Sequence, residues 1–194
     1  MTVPSIKGTA WATVAEDLHR MLEDGRLSRD ELEARMSAEE LKLFEAKPLA
    51  TRWYPVSAYR VLLALIAEKE AKGKVEEYLT ERGWRAAERL KEAGVYRQLD
   101  SDNGSDRSWS QRVAGLISAI SKLMYNFGSW TLEPPTDDST FRVTLGDAKA
   151  FADECRYTAA GFLGFAATMI AGAPVKVTSQ RPAPDRVVYT IRRS

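Results

Sequence analysis

The stretch YTAAGFLGFAATMIAGAPV, residues 157–175, decides how this chain folds. None of its residues is charged, and its length could just span a bilayer. It is rich in Ala, Gly and Thr instead of Leu, amphipathic helices precede it, and strand-like sequence follows it. These features favour a helix buried in the centre of a globular protein over a membrane-spanning helix, so we expect no membrane span.

This central helix is predicted over residues 147–172. Its period places one set of residues on the inner face: Phe151, Cys155, Thr158, Phe162, Phe165, Ala166 and Met169. A buried cysteine on such a face behaves as a small hydrophobic residue. We therefore interpret Cys155 mainly as a core residue, with ligand contact or lipid attachment as the alternatives.

Alternating sequence on both sides of this helix predicts two β-hairpins. Trp130 and Leu132 alternate with polar residues before the turn EPPTDDS, and Phe141, Val143 and Leu145 follow it. The second hairpin has Val175 and Val177 before the turn RPAPD, and Val187, Tyr189 and Ile191 after it. The simplest packing joins the hairpins into a four-stranded antiparallel sheet covered by helices, which makes an α+β protein.

The N-terminal half is predicted to be helical. A first helix covers residues 9–24, and capping boxes at Ser28 and Ser37 open two short helices. Pro55 suits the first position of the next helix, and further helices are expected over 75–91 and after Ser108. We divide the chain into an N-terminal helical segment, 1–50, packed on an α+β ligand-binding-like domain, 51–194, with both in one compact unit.

Composition limits the classes of function. The chain has 194 residues, 44% hydrophobic and 28% charged, and a net charge of +1, which gives no reason to expect a nucleic-acid partner. A single cysteine precludes an intrachain disulfide and fits a reducing compartment. The N-terminus lacks the pattern of a signal peptide. These features predict a cytoplasmic protein.

No motif for catalysis or metal binding is recognisable. The acidic stretch DSDNGSD, residues 100–106, is predicted to be a loop, and its glycine comes one place too early for a calcium loop. His19 is the only histidine, so a Cys/His zinc site is precluded by count, and His19 is interpreted as structural. There is no phosphate-binding loop and no nucleophile elbow. We expect no metal and no cofactor, and we favour a non-enzymatic role, with an enzyme as the alternative that would need a catalytic cluster the sequence does not display.

Five segments carry a resemblance to a known family. They are IKGTAW at 6–11, RWYPVSAYRVLLALI at 52–66, GVYRQL at 94–99, YNFGSWTLE at 125–133 and CRYTAAGFLGFAATMIAGAPVKV at 155–177. The chain resembles an uncharacterised, heavily duplicated family of myxobacterial proteins. That family is similar in turn to the 4-vinyl-reductase-like domains, which resemble domains associated with haem–nitric-oxide sensors and with TRAPP subunits.

This resemblance implies a sheet-and-helix domain that binds small or apolar ligands, or dimerises. Trp53 and Tyr54 would plug the junction between the N-terminal helices and the sheet, and Pro55 would set the entry angle of the helix. Metal-binding relatives have several C-terminal cysteines, and haem-sensing relatives combine a histidine with a Tyr-x-Ser-x-Arg motif. The chain has neither feature, so the resemblance does not extend to metal or haem.

Two hypotheses for function follow. The first is a non-enzymatic sensory or regulatory domain in a bacterial cytoplasm that binds a small apolar ligand between the central helix and the sheet. Its candidate lining residues are Trp130, Phe141, Cys155, Phe162, Phe165 and Met169, which would otherwise simply fill the core. The second is an interaction or scaffolding module, as a homodimer or with another protein partner, whose candidate interface residues are Trp84, Leu116 and Ile120.

Overall fold

The four-stranded antiparallel sheet predicted from the two hairpins is confirmed. The computed structural model describes residues 2–94, 108–137 and 139–193, with the side chains of 134–137 outside the description. The strands lie in the order β3-β4-β6-β5. Their bounds are β3 Ser129–Asp137, β4 Thr140–Gly146, β5 Val175–Ala183 and β6 Arg186–Arg193. Strand β3 extends through most of the predicted turn EPPTDDS, with a register irregularity between Glu133 and Asp137.

One face of the sheet forms much of the core. Successive strand residues point to opposite faces, so the apolar positions of β4 and β6 lie together. Phe141 is paired with Ile191, and Val143 with Tyr189. Each of these side chains is almost fully buried. The alternation in the sequence therefore identifies the buried face correctly.

The helices agree with most of the predicted bounds. They are α1 Gly8–Glu23, α2 Arg29–Glu33, α3 Ala38–Glu45, α4 Val56–Glu70, α5 Val75–Glu92, α6 Trp109–Met124 and α7 Asp153–Ala171. The capping boxes at Ser28, Ser37 and Ser108 are all formed. The predicted loop at 100–106, and residues 95–99 of GVYRQL, lie outside the described residues.

The predicted central helix is interrupted near its start. A short 3-10 helix, Ala148–Ala150, precedes α7, and Asp147 adopts a left-handed conformation with φ of 54°. Helix α7 is buried on most of its circumference, including Arg156, which hydrogen-bonds to Asp153 and to Ser179 on β5. Within the described part of the chain, no helix is long and apolar enough to cross a membrane.

Helices α5 and α7 cross at very short distance through two glycines. A Cβ atom added at Gly83 would collide with the carbonyl oxygen of Thr158, and one added at Gly161 would collide with that of Thr80. Each glycine therefore leaves room for the main chain of the opposite helix, and the crossing could not be this close with larger residues. The residue after Gly83, Trp84, packs against Phe165 of α7 with ring centroids 5.3 Å apart.

The helix entrance WYP is a short strand that the sequence did not predict. Strand β2, Trp53–Pro55, pairs with β1, Ser5–Lys7, and Pro55 precedes the first residue of α4. Tyr54 is 1% exposed, stacks on Trp11 at 4.7 Å and accepts a 3.0 Å hydrogen bond from the Leu49 N–H. Trp53, by contrast, is 37% exposed. Of the two residues expected to fill the junction, only Tyr54 is buried, because neighbouring strand residues face opposite sides.

Candidate ligand-binding site

A cavity lies between the N-terminal helix and the helices of the second half. Its volume is about 150 Å³, and α1, α4, α5, α6 and α7 all contribute to its lining. Most of the lining is apolar, including Ile6, Val14, Leu90, Ile117, Phe162 and Ala166. Ligand sites are mostly apolar concavities with a few polar groups, and this cavity has that composition.

Three uncharged polar groups of the lining have no hydrogen-bond partner within the described part of the chain. The Tyr59 side chain is 5% exposed, and neither its hydroxyl nor that of Tyr125 makes a hydrogen bond within the described residues. The Trp130 indole Nε1 is also buried without a partner. Burial raises the pKa of Tyr59, so its hydroxyl is neutral and available as a donor. Unpaired buried polar groups are costly, and a ligand would satisfy them.

Two arginines of α5 lie in the lining, and they differ in their environment. Arg82 forms an ion pair with Asp17 of α1, and both side chains are mostly buried, with 16% and 21% exposed. Arg89 lies two turns further along α5 and has no partner within the described residues. Of the residues that line the cavity, Arg89 and Thr9 are exposed to solvent. The mouth of the cavity therefore lies between α1 and the C-terminal end of α5.

The structure brings only some of the predicted ligand-lining residues to the cavity. Trp130 and Phe162 line it. Phe141 is fully buried in the sheet against the Trp109 ring, and Phe165 and Met169 belong to a smaller cluster behind α7. Phe141 fills the core from the sheet, and Phe165 and Met169 do so from α7, because the inner face of α7 is wider than the cavity that it borders.

The predicted interface residues are also core residues. Leu116 and Ile120 are 3% and 8% exposed, and half-buried Trp84 packs with them in the smaller cluster. Helix α7 covers the face of α5 that carries Trp84. These residues therefore offer no apolar patch on the surface of the chain.

Cys155 lies beside the cavity without lining it. Its side chain is 1% exposed, and burial raises the pKa of its thiol to about 12.

Because the thiolate is the reactive form, the folded protein should react negligibly with a thiol reagent at pH 8. Unfolding in denaturant should restore the rate of a free cysteine. Fast labelling of the native protein by a chromogenic disulfide reagent would contradict this assignment.

Most of the cavity was missed by the sequence analysis. Tyr59 was not assigned to the site, and Arg89 lies in an ordinary charged helix. The residues from α1 were assigned to a separate N-terminal segment. The apolar period of α1 was the one available signal, because it required this helix to pack on something.

The only histidine has a structural role. His19 stacks on Phe44 with ring centroids 4.1 Å apart, and its Nδ1 lies 2.8 Å from the Ala15 carbonyl oxygen. It does not line the cavity. Among the described residues there is no group of three or more His, Cys, Asp or Glu side chains that could hold a metal ion.

The architecture resembles solved structures of H-NOX proteins. An H-NOX protein from K. algicida in the unliganded Fe(II) state matches with a TM-score of 0.63 at 9% identity, covering 97% of this chain and 96% of that one. One from S. oneidensis in the Fe(II)NO state matches with a TM-score of 0.61 at 13% identity, covering 97% and 99%. The chain has an H-NOX-like fold. No family model matches the sequence, and no curated protein is found to be similar to it, so the myxobacterial part of the resemblance gains no support.

The residues of this H-NOX-like chain do not fit a haem group. A haem iron needs an axial ligand such as histidine, cysteinate, methionine with histidine, or tyrosinate. The cavity lining contains no histidine and no cysteine. Burial raises the pKa of both Tyr59 and Tyr125, which disfavours a tyrosinate ligand. We therefore derive no chemistry through haem.

Proposed function

We propose that this chain is a non-enzymatic sensory or regulatory domain that binds a small apolar ligand, without haem, in the cavity between α1 and α5–α7. The observation that carries the proposal is a largely apolar cavity of about 150 Å³ whose lining includes the buried indole N–H of Trp130, which has no hydrogen-bond partner within the described residues. An apolar cavity of this size takes up molecules such as benzene or xenon. The H-NOX-like fold supports a sensory role by analogy of architecture alone.

The proposal includes a bacterial cytoplasm as the location, because the single thiol suits a reducing compartment. It does not include a homodimer, because the residues expected to form that interface are covered within the chain itself. Native mass spectrometry of the protein from its own host would report both a retained small molecule and the oligomeric state.

Toluene is a suitable first probe of the cavity. At ten times its dissociation constant, a ligand that binds only the folded state adds about 1.4 kcal/mol to the free energy of unfolding. For a chain of this size, that should raise Tm by about 4 °C. The measurement is thermal unfolding followed by circular dichroism at increasing toluene concentration.

A variant with a filled cavity provides the control. Ala86 is half-buried in the lining, so Ala86→Phe should occupy the space and abolish the rise in Tm. Ala93→Phe adds the same ring at an exposed position outside the lining and should retain the rise. An equal response of wild type and Ala86→Phe would show that toluene binds elsewhere, and no response in wild type would refute the proposed cavity site.

A further inference from the structure

We propose that the ligand of this cavity is a small carboxylate with a compact apolar body and a second oxygen at its far end, and that Arg89 at the mouth binds the carboxylate. This inference rests on the proposed function: it keeps the apolar body of the proposed ligand and adds a polar group at each end. It is based on the distribution of charge and of unpaired polar groups along the cavity.

Charge complementarity favours an anion. The lining contains two charged side chains, Arg82 and Arg89, and no Asp or Glu. Asp17 neutralises Arg82, and on the outer face of the same helix Glu81 pairs with Arg85. Arg89 alone of these three arginines has no carboxylate at ion-pair distance within the described residues. A guanidinium donates two parallel hydrogen bonds to a carboxylate, so Arg89 offers a planar, charged pair of donors at the mouth.

A cation in the last turn of α5 also offsets the helix dipole, which any exposed basic residue would do. Lys91 occupies the same turn but lies outside the lining, above the Phe165 ring. The feature particular to Arg89 is therefore its position at the edge of an apolar cavity. An anionic head group there stays partly hydrated, while the apolar body of the ligand enters the protein.

The Tyr59 hydroxyl at the deep end of the cavity predicts a second oxygen on the ligand. Tyr59 is 5% exposed, whereas Arg89 at the mouth is exposed, and Tyr59 lines the same cavity as Arg82 of the Asp17–Arg82 ion pair. Seven residues separate Arg82 from Arg89, or about 10 Å along a helix axis. A ligand with polar groups at opposite ends of one ring would thus place its carboxylate near Arg89 and its second oxygen towards Tyr59. The bulk of the lining between these two residues is apolar and suits the ring.

The probes are 4-hydroxybenzoate, its neutral analogue 4-hydroxybenzamide, and benzoate, each titrated by calorimetry. The two hydroxylated probes have nearly the same shape, so their difference measures the charge. We expect 4-hydroxybenzoate to bind most tightly. Arg89→Gln should weaken its binding about tenfold, as expected for one partly hydrated charge-assisted contact, and should leave the amide unaffected. Arg85→Gln removes a charge from the outer face of the same helix and should bind like wild type.

Tyr59→Phe tests the deep contact. It should weaken the binding of 4-hydroxybenzoate about fivefold, which is within the range of one hydrogen bond, and leave the affinity for benzoate unchanged. Because the Tyr59 hydroxyl has no protein partner, the variant should fold at least as stably as wild type. Arg89 is exposed, so its replacement should not disturb folding either.

The failures of the two proposals are distinguishable. Equal binding of the acid and the amide, or an Arg89→Gln variant that binds the acid like wild type, would overturn the carboxylate assignment. An equal loss in Arg85→Gln would overturn it as well, because the effect would then be one of general charge. An unchanged affinity of Tyr59→Phe for 4-hydroxybenzoate would overturn the inference that the ligand has a second oxygen. If toluene stabilises the protein but none of the oxygenated probes binds, this inference fails and the apolar cavity remains; if toluene also fails, both fall.

Discussion

Replacing Gly161 by alanine should lower the free energy of unfolding by about 3 kcal/mol, at the upper end of the usual cost of overpacking. In an exposed helix the same change would stabilise the protein by about 1 kcal/mol. Here the added Cβ would collide with the Thr80 carbonyl oxygen and press on the Trp84 main-chain nitrogen. Main-chain atoms in the middle of a helix cannot move aside as a flexible side chain can, so α5 and α7 must separate.

The measurement is chemical denaturation, together with Tm, which should fall by about 10 °C for a chain of this size. Gly164→Ala is the matched control. It lies three residues further along α7, where an added Cβ would have ordinary contacts with the Trp84 ring and Val177 at 3.5–3.7 Å. It should be neutral or slightly stabilising. Equal losses in both variants would mean that the crossing is not the reason for Gly161.

The same substitution bears on the site. Thr158 lines the cavity, and its carbonyl oxygen is the atom that Gly83 accommodates at the crossing. Separation of α5 from α7 would therefore widen the cavity on the side opposite α1. We expect Gly161→Ala to weaken binding of the 4-hydroxybenzoate probe as well, although neither Gly161 nor its added methyl group lines the cavity.

Tyr54→Ala should destabilise the protein by about 3–5 kcal/mol, the range observed for buried Phe and Trp side chains. The change removes a side chain that is 1% exposed and that stacks on the fully buried Trp11. It also removes the acceptor of the hydrogen bond from the Leu49 N–H. The cavity that remains would lie at the junction of α1 and β2, where collapse is limited by the pairing of β1 with β2.

The adjacent residue is the control for this prediction. Trp53 is larger than Tyr54, but it is 37% exposed, and its ring contacts the Lys7 ammonium at 4.4 Å. An exposed cation–π contact contributes about 0.5–1 kcal/mol, so Trp53→Ala should cost no more than that. Urea denaturation of both variants with unchanged m-values would measure the difference. A cost for Trp53→Ala as large as that for Tyr54→Ala would show that both rings plug the junction.

The sequence by itself determined the α+β class, the sheet and most of the helix starts. These features depend on local signals: period-2 alternation in Val143–Leu145 and Val187–Ile191, and the capping boxes at Ser28, Ser37 and Ser108. It also determined that the uncharged stretch from residue 157 to 171 belongs to a core helix, because Ala and Gly suit a helix packed closely on all sides better than one in lipid.

Only the tertiary structure decided the site. The cavity depends on the separation of α1 from α5. No local pattern encodes the distance between a helix that ends at Glu23 and one that begins at Val75. Helical periodicity marked Tyr59 as buried, but it could not show that its hydroxyl lacks a partner. In the sequence, Arg89 is indistinguishable from a solvent-exposed charged residue. Its proposed role in binding depends on the apolar cavity beside it. Likewise, the sequence made Trp84 a candidate interface residue, and the close approach of α7 at Gly83 and Gly161 covers it within the chain.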